Sequence, residues 1–522
     1  MNSKSVDSKI AESASLKLSD KDTGSSSNQY QYGLTSAIFI IVNSIIGSGI
    51  FSTPASVYKH AGSVGLSLML WLVGGFVSLC GPLMALEFGT GIPVSGGLKN
   101  YLERSIPNRR LLGTCFYIFY CTFLQVSTSS AISFANYILL AAGQEVTTWK
   151  MRGIAIASVS FAVLIFAFFP RAAMYTNNVF GAIKIIMLLF VIFTGKATLL
   201  SSPKLGFAAL GGHIKLEEKP DNFDPKTLFH GTKTNAYDIS TALLNCIFSY
   251  QGYDQVNAIL SEVRNPARTL KIAMPVAMAI VTTLNILANV AYFAGVSIAQ
   301  FRDNGVTVAG SLFLNVFGDK AGNQVLPVLV ALSALGHLIS MSKSISVVLQ
   351  VLAKEDVLIF NDIFTTSKPF GSPLAGLCVV WAVTVIFVCA PPPGDAYDFV
   401  VSLTSYPYTL MLFFCAVGAF KLRYFDKDWD PPYRAPIVGL ILFILACLFL
   451  LIAPFIPPEE NNSSLPYYLS SVVSLSITML GVVWYFLKFV LVPFLFRYKL
   501  VPIYKDLTDG SRMIRYKRIS KE

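Results

Sequence analysis

Charge is scarce in this sequence for its length. Asp, Glu, Lys and Arg make up 13% of its 522 residues, while 54% are hydrophobic. Soluble domains carry about 25% charged residues, so a water-soluble globular chain is excluded and a polytopic membrane protein is indicated. Cysteine is sparse too. Its eight positions (80, 115, 121, 246, 378, 389, 415 and 447) all fall inside apolar runs and none in an outer loop. No structural disulfide and no disulfide-linked partner chain is expected from that placement. The four histidines, His60, His213, His230 and His337, are scattered along the chain. They form no metal-ligand cluster, and no nucleophile–base constellation can be assembled around them. No metal, no cofactor and no enzymatic activity is therefore expected. Residues 1–32 lack an apolar run and are rich in serine and lysine. They read as a disordered cytosolic tail, not as a cleavable signal.

What is present is a series of long apolar runs. Twelve can be placed, at about 34–58, 64–88, 111–141, 152–170, 177–196, 236–260, 272–297, 325–351, 373–390, 396–420, 436–456 and 467–495. The net charge of +11 raises the question of nucleic acid. With both termini placed in the cytosol, most Lys and Arg fall in cytosolic segments, as the positive-inside rule requires. No nucleic-acid partner is expected; the partner of the whole chain is the lipid bilayer. The basic tail from Arg512 to Lys521 reads as a juxtamembrane segment facing anionic lipid. The sequons at Asn461 and Asn462 fall in a loop placed outside, as possible N-glycosylation sites.

The first span contains the stretch around which the others are arranged. Ile45-Ile46-Gly47-Ser48-Gly49-Ile50-Phe51, with Pro54 after it, is poor material for a continuous helix. In hydrocarbon a broken backbone is tolerated only where protein or a water-filled cavity satisfies the freed groups. A half-helix starting here presents unpaired N–H groups and partial positive charge, which suits a carboxylate. The competing reading is that Gly47 and Gly49 only let helices pack closely. The sixth span carries a second such stretch, Phe248-Ser249-Tyr250-Gln251-Gly252-Tyr253-Asp254. Spans 1 and 6 open two successive sets of five. Interrupted segments at matching positions of two halves point to the binding site of a secondary transporter.

Four further side chains are costly at membrane depth. Glu87, near the end of the second span, either pairs with a cation at the cytosolic interface or handles protons. Lys184, in the fifth, either snorkels to the interface or replaces a bound cation against carbonyls freed by the first break. His337, in the eighth, is a proton carrier or an interhelical hydrogen-bonding group. Asp254 places an acid beside the second glycine break. The third span adds Gln125, Ser127, Thr128, Ser129, Ser130 and Ser133, packing residues of which one or two could face a cavity.

These motifs occur together in one family. The runs Ile45–Phe51 and Pro93-Val94-Ser95-Gly96-Gly97, the pattern Asn178…Phe180…Lys184 and the run Phe248–Asn257 with Glu262 and Asn265-Pro266 stand in family order. So do Ala331-Leu332-Ser333 and Leu422-Arg423…Pro432-Tyr433-Arg434. Over about residues 33–437 the chain resembles the amino acid–polyamine–organocation superfamily, in its L-type amino acid transporter branch. Residues 95–103 and 265–271 look most like those of fungal methionine permeases. The resemblance implies an all-α integral membrane fold of twelve transmembrane helices. These would form a 5+5 inverted repeat with broken helices 1 and 6, plus two extra C-terminal helices. Its divisions would be a tail at 1–32, repeats at 33–196 and 236–420 separated by an outer loop at 197–235, helices 11 and 12 within 421–495, and a basic cytosolic tail at 496–522.

The resemblance also implies roles. Ser48, Gly49 and Ile50 would offer amides to a substrate carboxylate. The carbonyls of Ile45, Ile46, Phe248, Ser249 and Gln251 would accept from its ammonium, with Gly47 and Gly252 providing the breaks. Phe248 would be the outer aromatic gate. Lys184 would stand where sodium-coupled relatives hold an ion, which argues against sodium. The family often has Gly-Gly-Trp-Asn where this chain has Gln251-Gly252-Tyr253-Asp254. Asp254 is thus the first candidate for proton coupling, ahead of Glu87 and His337. Animal heterodimeric members carry a cysteine after the third helix; residues 142–151 have none, so no heavy chain is expected. The expected function is import of a neutral, apolar L-amino acid, foremost methionine, across the plasma membrane by alternating access and coupled to protons. Carriers of other amino acids or polyamines, and a non-transporting nutrient receptor, are the alternatives.

Overall fold

The structure is a computed structural model. It describes residues 33–520 except 48, 95, 107–108, 126, 201–219, 259, 261–262, 305–306, 321–323, 325, 367–370, 392–395, 459–464 and 507–511. The chain begins with α1 (Leu34–Ile45), α2 (Gly49–Ala61) and α3 (Val64–Gly91), the first two bent by 42° at the break between them. Ser63 starts α3 as its N-cap, accepting from the Leu66 N–H at 3.3 Å, which satisfies one of the orphan donors of a helix start. A short helix, α4 (Leu98–Ser105), follows. Its Glu103 accepts from the backbone of Leu111 and Thr114, so it holds the start of α5 (Leu112–Phe119).

The third span is not the continuous helix that its apolar run predicts. After α5 the backbone passes through a π-helical turn at Tyr120–Leu124, leaves helical geometry at Gln125 (ψ 46°) and Ser127 (ψ 31°), and resumes as α6 (Thr128–Ala141). The hydroxyl-rich run 127–130 offers the backbone local alternatives to the helical ladder, and π-turns of this kind gather at functional sites. Then come α7 (Thr148–Phe168) and α8 (Pro170–Leu200).

The second half opens with α9 (Ala236–Phe248), capped by the Asn235 side chain on the Tyr237 N–H at 2.8 Å. It is followed by the four-residue α10 (Gln255–Ala258) and by α11 (Pro266–Gly295), which starts on a proline, a residue suited to a first helical turn. Two helices outside the twelve apolar runs, α12 (Ile298–Asn304) and α13 (Val308–Lys320), lead to α14 (Leu326–Lys354). The chain continues through α15 (Asn361–Thr365), α16 (Leu374–Cys389), α17 (Ala396–Phe425), α18 (Ile437–Ile452), α19 (Leu469–Tyr485) and α20 (Val492–Leu495). Among the described residues eight helices are long and apolar enough to cross a membrane, and the α1–α2 pair makes a ninth such span. The protein is a mostly helical, multi-pass membrane protein.

The C-terminal segment corrects the all-α expectation. Residues Tyr498–Asp506 (β1) and Arg512–Ser520 (β2) pair antiparallel, Pro502 opposite Tyr516. The segment alternates basic residues with Val501, Ile503, Ile514, Tyr516 and Ile519, a β-branched and aromatic composition that fits a pleated surface better than a helix. The hairpin is docked rather than free. Tyr516 N–H donates to Asp356 Oδ2 at 3.1 Å, Arg515 pairs with Asp362, and the Phe489 and Tyr516 rings meet edge to face.

Two apolar clusters organise the helices. The larger takes side chains from α1, α2, α3, α9 and α11, and the smaller from α6, α7, α14 and α16. Within them α2 packs on α9, α1 on α11, and α6 on α14. That arrangement lays the two interrupted segments against each other in the interior.

Candidate functional site

The two breaks meet through their glycines. α1 ends as Ile46 turns away (ψ 90°), its N–H still bonded to the Val42 carbonyl at 2.9 Å. The chain re-enters a helix at Gly49, so the first amides of α2 have no acceptor within their own helix. In the other segment α9 stops at Phe248, and Gly252 adopts φ +113°, a value that L side chains rarely accept. Close approach adds to the requirement for glycine. A Cβ on Gly252 would lie 2.5 Å from the Ser44 carbonyl oxygen, and one on Gly49 would lie 2.8 Å from Ser249 Oγ. Gly47 is closed off in the same way by His337 Cδ2, at 2.9 Å. Ser249 Oγ and Thr53 Oγ1 lie 2.8 Å apart and tie the two segments together.

A cavity of about 590 Å³ opens beside this crossing. Ile45, Gly47, Gly49, Phe248, Gln251, Gly252, Asp254 and His337 line it. Its lining therefore brings together the start of α2, the turn after α9, the Phe248 ring and the Asp254 carboxyl. Of the other expected contact residues, Ile46 and Ile50 are 1% exposed and point into the larger apolar cluster; only their backbone could serve a ligand. Ser249 faces Thr53 and does not line the cavity. The Phe248 carbonyl already accepts from the Gln251 N–H at 3.1 Å. Ser48, Ser95, Glu262, Asn461 and Asn462 lie outside the described residues.

The ionisable groups divide into distinct settings. Lys184 is fully buried in α8, and its Nζ donates to the Asn43 carbonyl at 3.3 Å. That carbonyl belongs to the last turn of α1, where helix acceptors lose their intrahelical partners. The lysine thus points inward to the broken span and does not snorkel. His337 Nδ1 lies 2.9 Å from Ser130 Oγ, a link between α14 and α6. Asp254 is half-buried, with Tyr408 donating to its Oδ1 at 3.4 Å. Glu87 is elsewhere. It is fully buried near the C-terminal end of α3 and accepts from Arg423 Nε at 2.8 Å, from Arg423 Nη2, from Trp429 Nε1 at 3.3 Å and from the Ala435 N–H at 3.0 Å.

Part of the cavity lining was not foreseen from the sequence, while the expectation that one or two polar residues of the third span face a cavity is met by Gln125, Ser127 and Ser129. Tyr120, Met341, Thr404 and Tyr408 line the cavity with Gln125, Ser127, Ser129 and Gln255. The polar run in the third span was the available signal. Tyr408 and Thr404 sit in an apolar run with nothing local to mark them, and only tertiary packing brings them to Asp254.

With this geometry in view, the chain can be set beside known proteins by sequence. A family model described as amino acid permease matches residues 32–483. The chain belongs to this family. As a member of the amino acid permeases, within the amino acid–polyamine–organocation superfamily, it is a transporter and not an enzyme. It is 38% identical over 495 residues to the high-affinity methionine permease of Saccharomyces cerevisiae, covering 93% of this chain and 83% of the yeast protein. It is 30% identical over 482 residues to the low-affinity methionine permease of the same yeast, covering 92% and 86%. It is also 30% identical over 441 residues to the b(0,+)-type amino acid transporter 1 of Mus musculus, covering 82% and 83%. In this permease the cavity at the crossed breaks is the candidate substrate site.

Proposed function

We propose that this permease imports a neutral, apolar L-amino acid, foremost methionine, across the plasma membrane by alternating access coupled to protons. The carrying observation is the cavity at the crossed breaks, where Gly47 and Gly49 of one segment and Phe248, Gln251 and Gly252 of the other form one wall. The α2 start supplies partial positive charge for a carboxylate. Turn carbonyls supply acceptors for the ammonium, and Met341 and Phe248 supply apolar surface for a thioether. The likeness to two yeast methionine permeases supports the choice of side chain. In this reading twelve spans form a 5+5 inverted repeat with two further helices, both termini cytosolic, and no heavy chain is attached. Lys184 stands in for a cation at the first break, so no sodium is needed. Asp254, facing the cavity, carries the proton.

A second reading has one observation in its favour. The Asp254 carboxylate lines the cavity and would suit the second amine of a cationic amino acid or polyamine. Competition decides between them, since lysine or a polyamine would then displace methionine.

The test is uptake of radiolabelled methionine by cells lacking their own amino acid transport and expressing the full chain, at pH 5 and pH 7, with and without a protonophore. Saturable uptake that falls on raising the pH and on adding the protonophore is expected. Gly49→Val should abolish it, because a branched side chain meets Ser249 where even a Cβ lies within 2.8 Å. Uptake indifferent to the proton gradient would remove the coupling and leave an exchanger or facilitator. Absence of uptake of any amino acid by correctly located wild-type protein would favour a receptor.

A further inference from the structure

A second cavity adjoins the first. It is small and lined mainly by apolar side chains, among them Ile247, Leu412, Phe443, Cys447 and Leu450. Two residues line both cavities, Gln251 and Tyr408. They form the partition. Tyr408 is tethered by its hydroxyl to Asp254. Gln251 is the looser half, because its Nε2 is buried without a hydrogen-bond partner among the described residues. A buried donor left unpaired is costly, so packing alone gives no reason for a carboxamide here. Its side chain stands between the substrate cavity and the apolar space behind.

We propose that Gln251 is the wall between the substrate cavity and this apolar side pocket, and that it thereby sets the upper size limit of the substrate side chain. A linear side chain such as that of methionine ends at the wall. A bulkier aromatic one needs the space behind it. The inference deepens the proposed transport function and rests on it for the uptake arm of its test. The second arm does not depend on transport.

In the first arm, uptake of methionine and phenylalanine is measured for full-length wild type, Gln251→Ala and Gln251→Leu, each normalised to protein at the cell surface. Opening the partition should raise the phenylalanine-to-methionine ratio of kcat/KM by about ten-fold or more in Gln251→Ala, the scale on which apolar pockets discriminate by size. Gln251→Leu keeps the volume and should stay within about three-fold of wild type on the same scale. In the second arm, N-ethylmaleimide modification of Cys447 in purified protein is followed by mass spectrometry. Cys447 is 2% exposed and lines the side pocket, so it should react several-fold faster in Gln251→Ala than in wild type or Gln251→Leu. An unchanged ratio together with unchanged Cys447 labelling in Gln251→Ala overturns the proposal, as does a rise in the ratio that Gln251→Leu shares. If wild type transports no amino acid, the functional reading fails, and Cys447 labelling alone decides whether Gln251 is the wall.

Discussion

Glu87 and Asp254 are both carboxylates inside the helical body, and their surroundings differ at every point. Glu87 is fully buried and takes donors from two side chains and one backbone amide, drawn from the end of α17 and the segment leading to α18. Asp254 is half-buried, faces the cavity, and receives the Tyr408 hydroxyl at 3.4 Å. A carboxylate with its lone pairs filled by fixed donors cannot change its charge without dismantling them, and so acts as structure. One that faces a cavity with a long single bond keeps acceptor capacity for a proton or a ligand. Glu87 thereby ties the end of α3 to the end of α17, and Asp254 is the group that the proposed coupling would use.

The comparison breaks most visibly at Glu87. Glu87→Ala leaves the Arg423 guanidinium, with 11% side-chain exposure, without its counter-charge. Removing one partner of a buried pair costs about 3–5 kcal/mol. The purified protein should therefore lose thermal stability and reach the membrane poorly. The double variant Glu87→Gln/Arg423→Gln should recover part of the loss, because no uncompensated charge remains. A Glu87→Ala protein with wild-type unfolding temperature would show that the pair is not structural.

The next effect falls on transport instead of stability. Asp254→Asn keeps the shape and the bond to Tyr408, so folding should change by less than about 1 kcal/mol. Methionine uptake at pH 5 should fall by about ten-fold or more, the lower range of what a positioned proton carrier contributes, and the remainder should ignore the protonophore. If Asp254→Asn still responds to the proton gradient as wild type does, the coupling group lies elsewhere, with His337 the next group on the cavity wall.

Both carboxylates were legible in the sequence as charges costly at membrane depth. Glycine announced both breaks, as a pair at Gly47 and Gly49 and singly at Gly252, because backbone strain is a local property. The same holds for Glu87, Lys184 and His337, since a charged or imidazole side chain in an apolar run is conspicuous wherever it points. Their partners were not legible. Arg423 is more than three hundred residues from Glu87 in sequence, and the Asn43 carbonyl is identified only by where α8 packs. The C-terminal hairpin escaped notice for a different reason. Its basic residues suggested a tail on anionic lipid, while the alternating Val, Ile and Tyr pattern is too short to outweigh that charge until its pairing and its dock on Asp356 are seen. The turn within the third span escaped because apolar periodicity does not register a single π-turn.

The smallest expected effect sharpens the comparison most. Tyr408→Phe removes the hydroxyl that bonds Asp254 at 3.4 Å while leaving the ring that helps wall the cavity. At that length the bond is weak. Its loss should therefore be worth no more than about 1 kcal/mol, or about a five-fold change in KM for methionine. Proton dependence should persist, because the carboxylate itself remains. The equivalent loss at Glu87, Trp429→Phe, removes a bond of nearly the same length, 3.3 Å, from a carboxylate that keeps Arg423 and the Ala435 amide. It should leave uptake unchanged within about two-fold, a difference of under 1 kcal/mol. Similar bonds would then have unequal consequences, and the difference would lie in whether the acceptor faces the cavity. If Trp429→Phe and Tyr408→Phe change methionine uptake alike, the division between a structural and a coupling carboxylate fails.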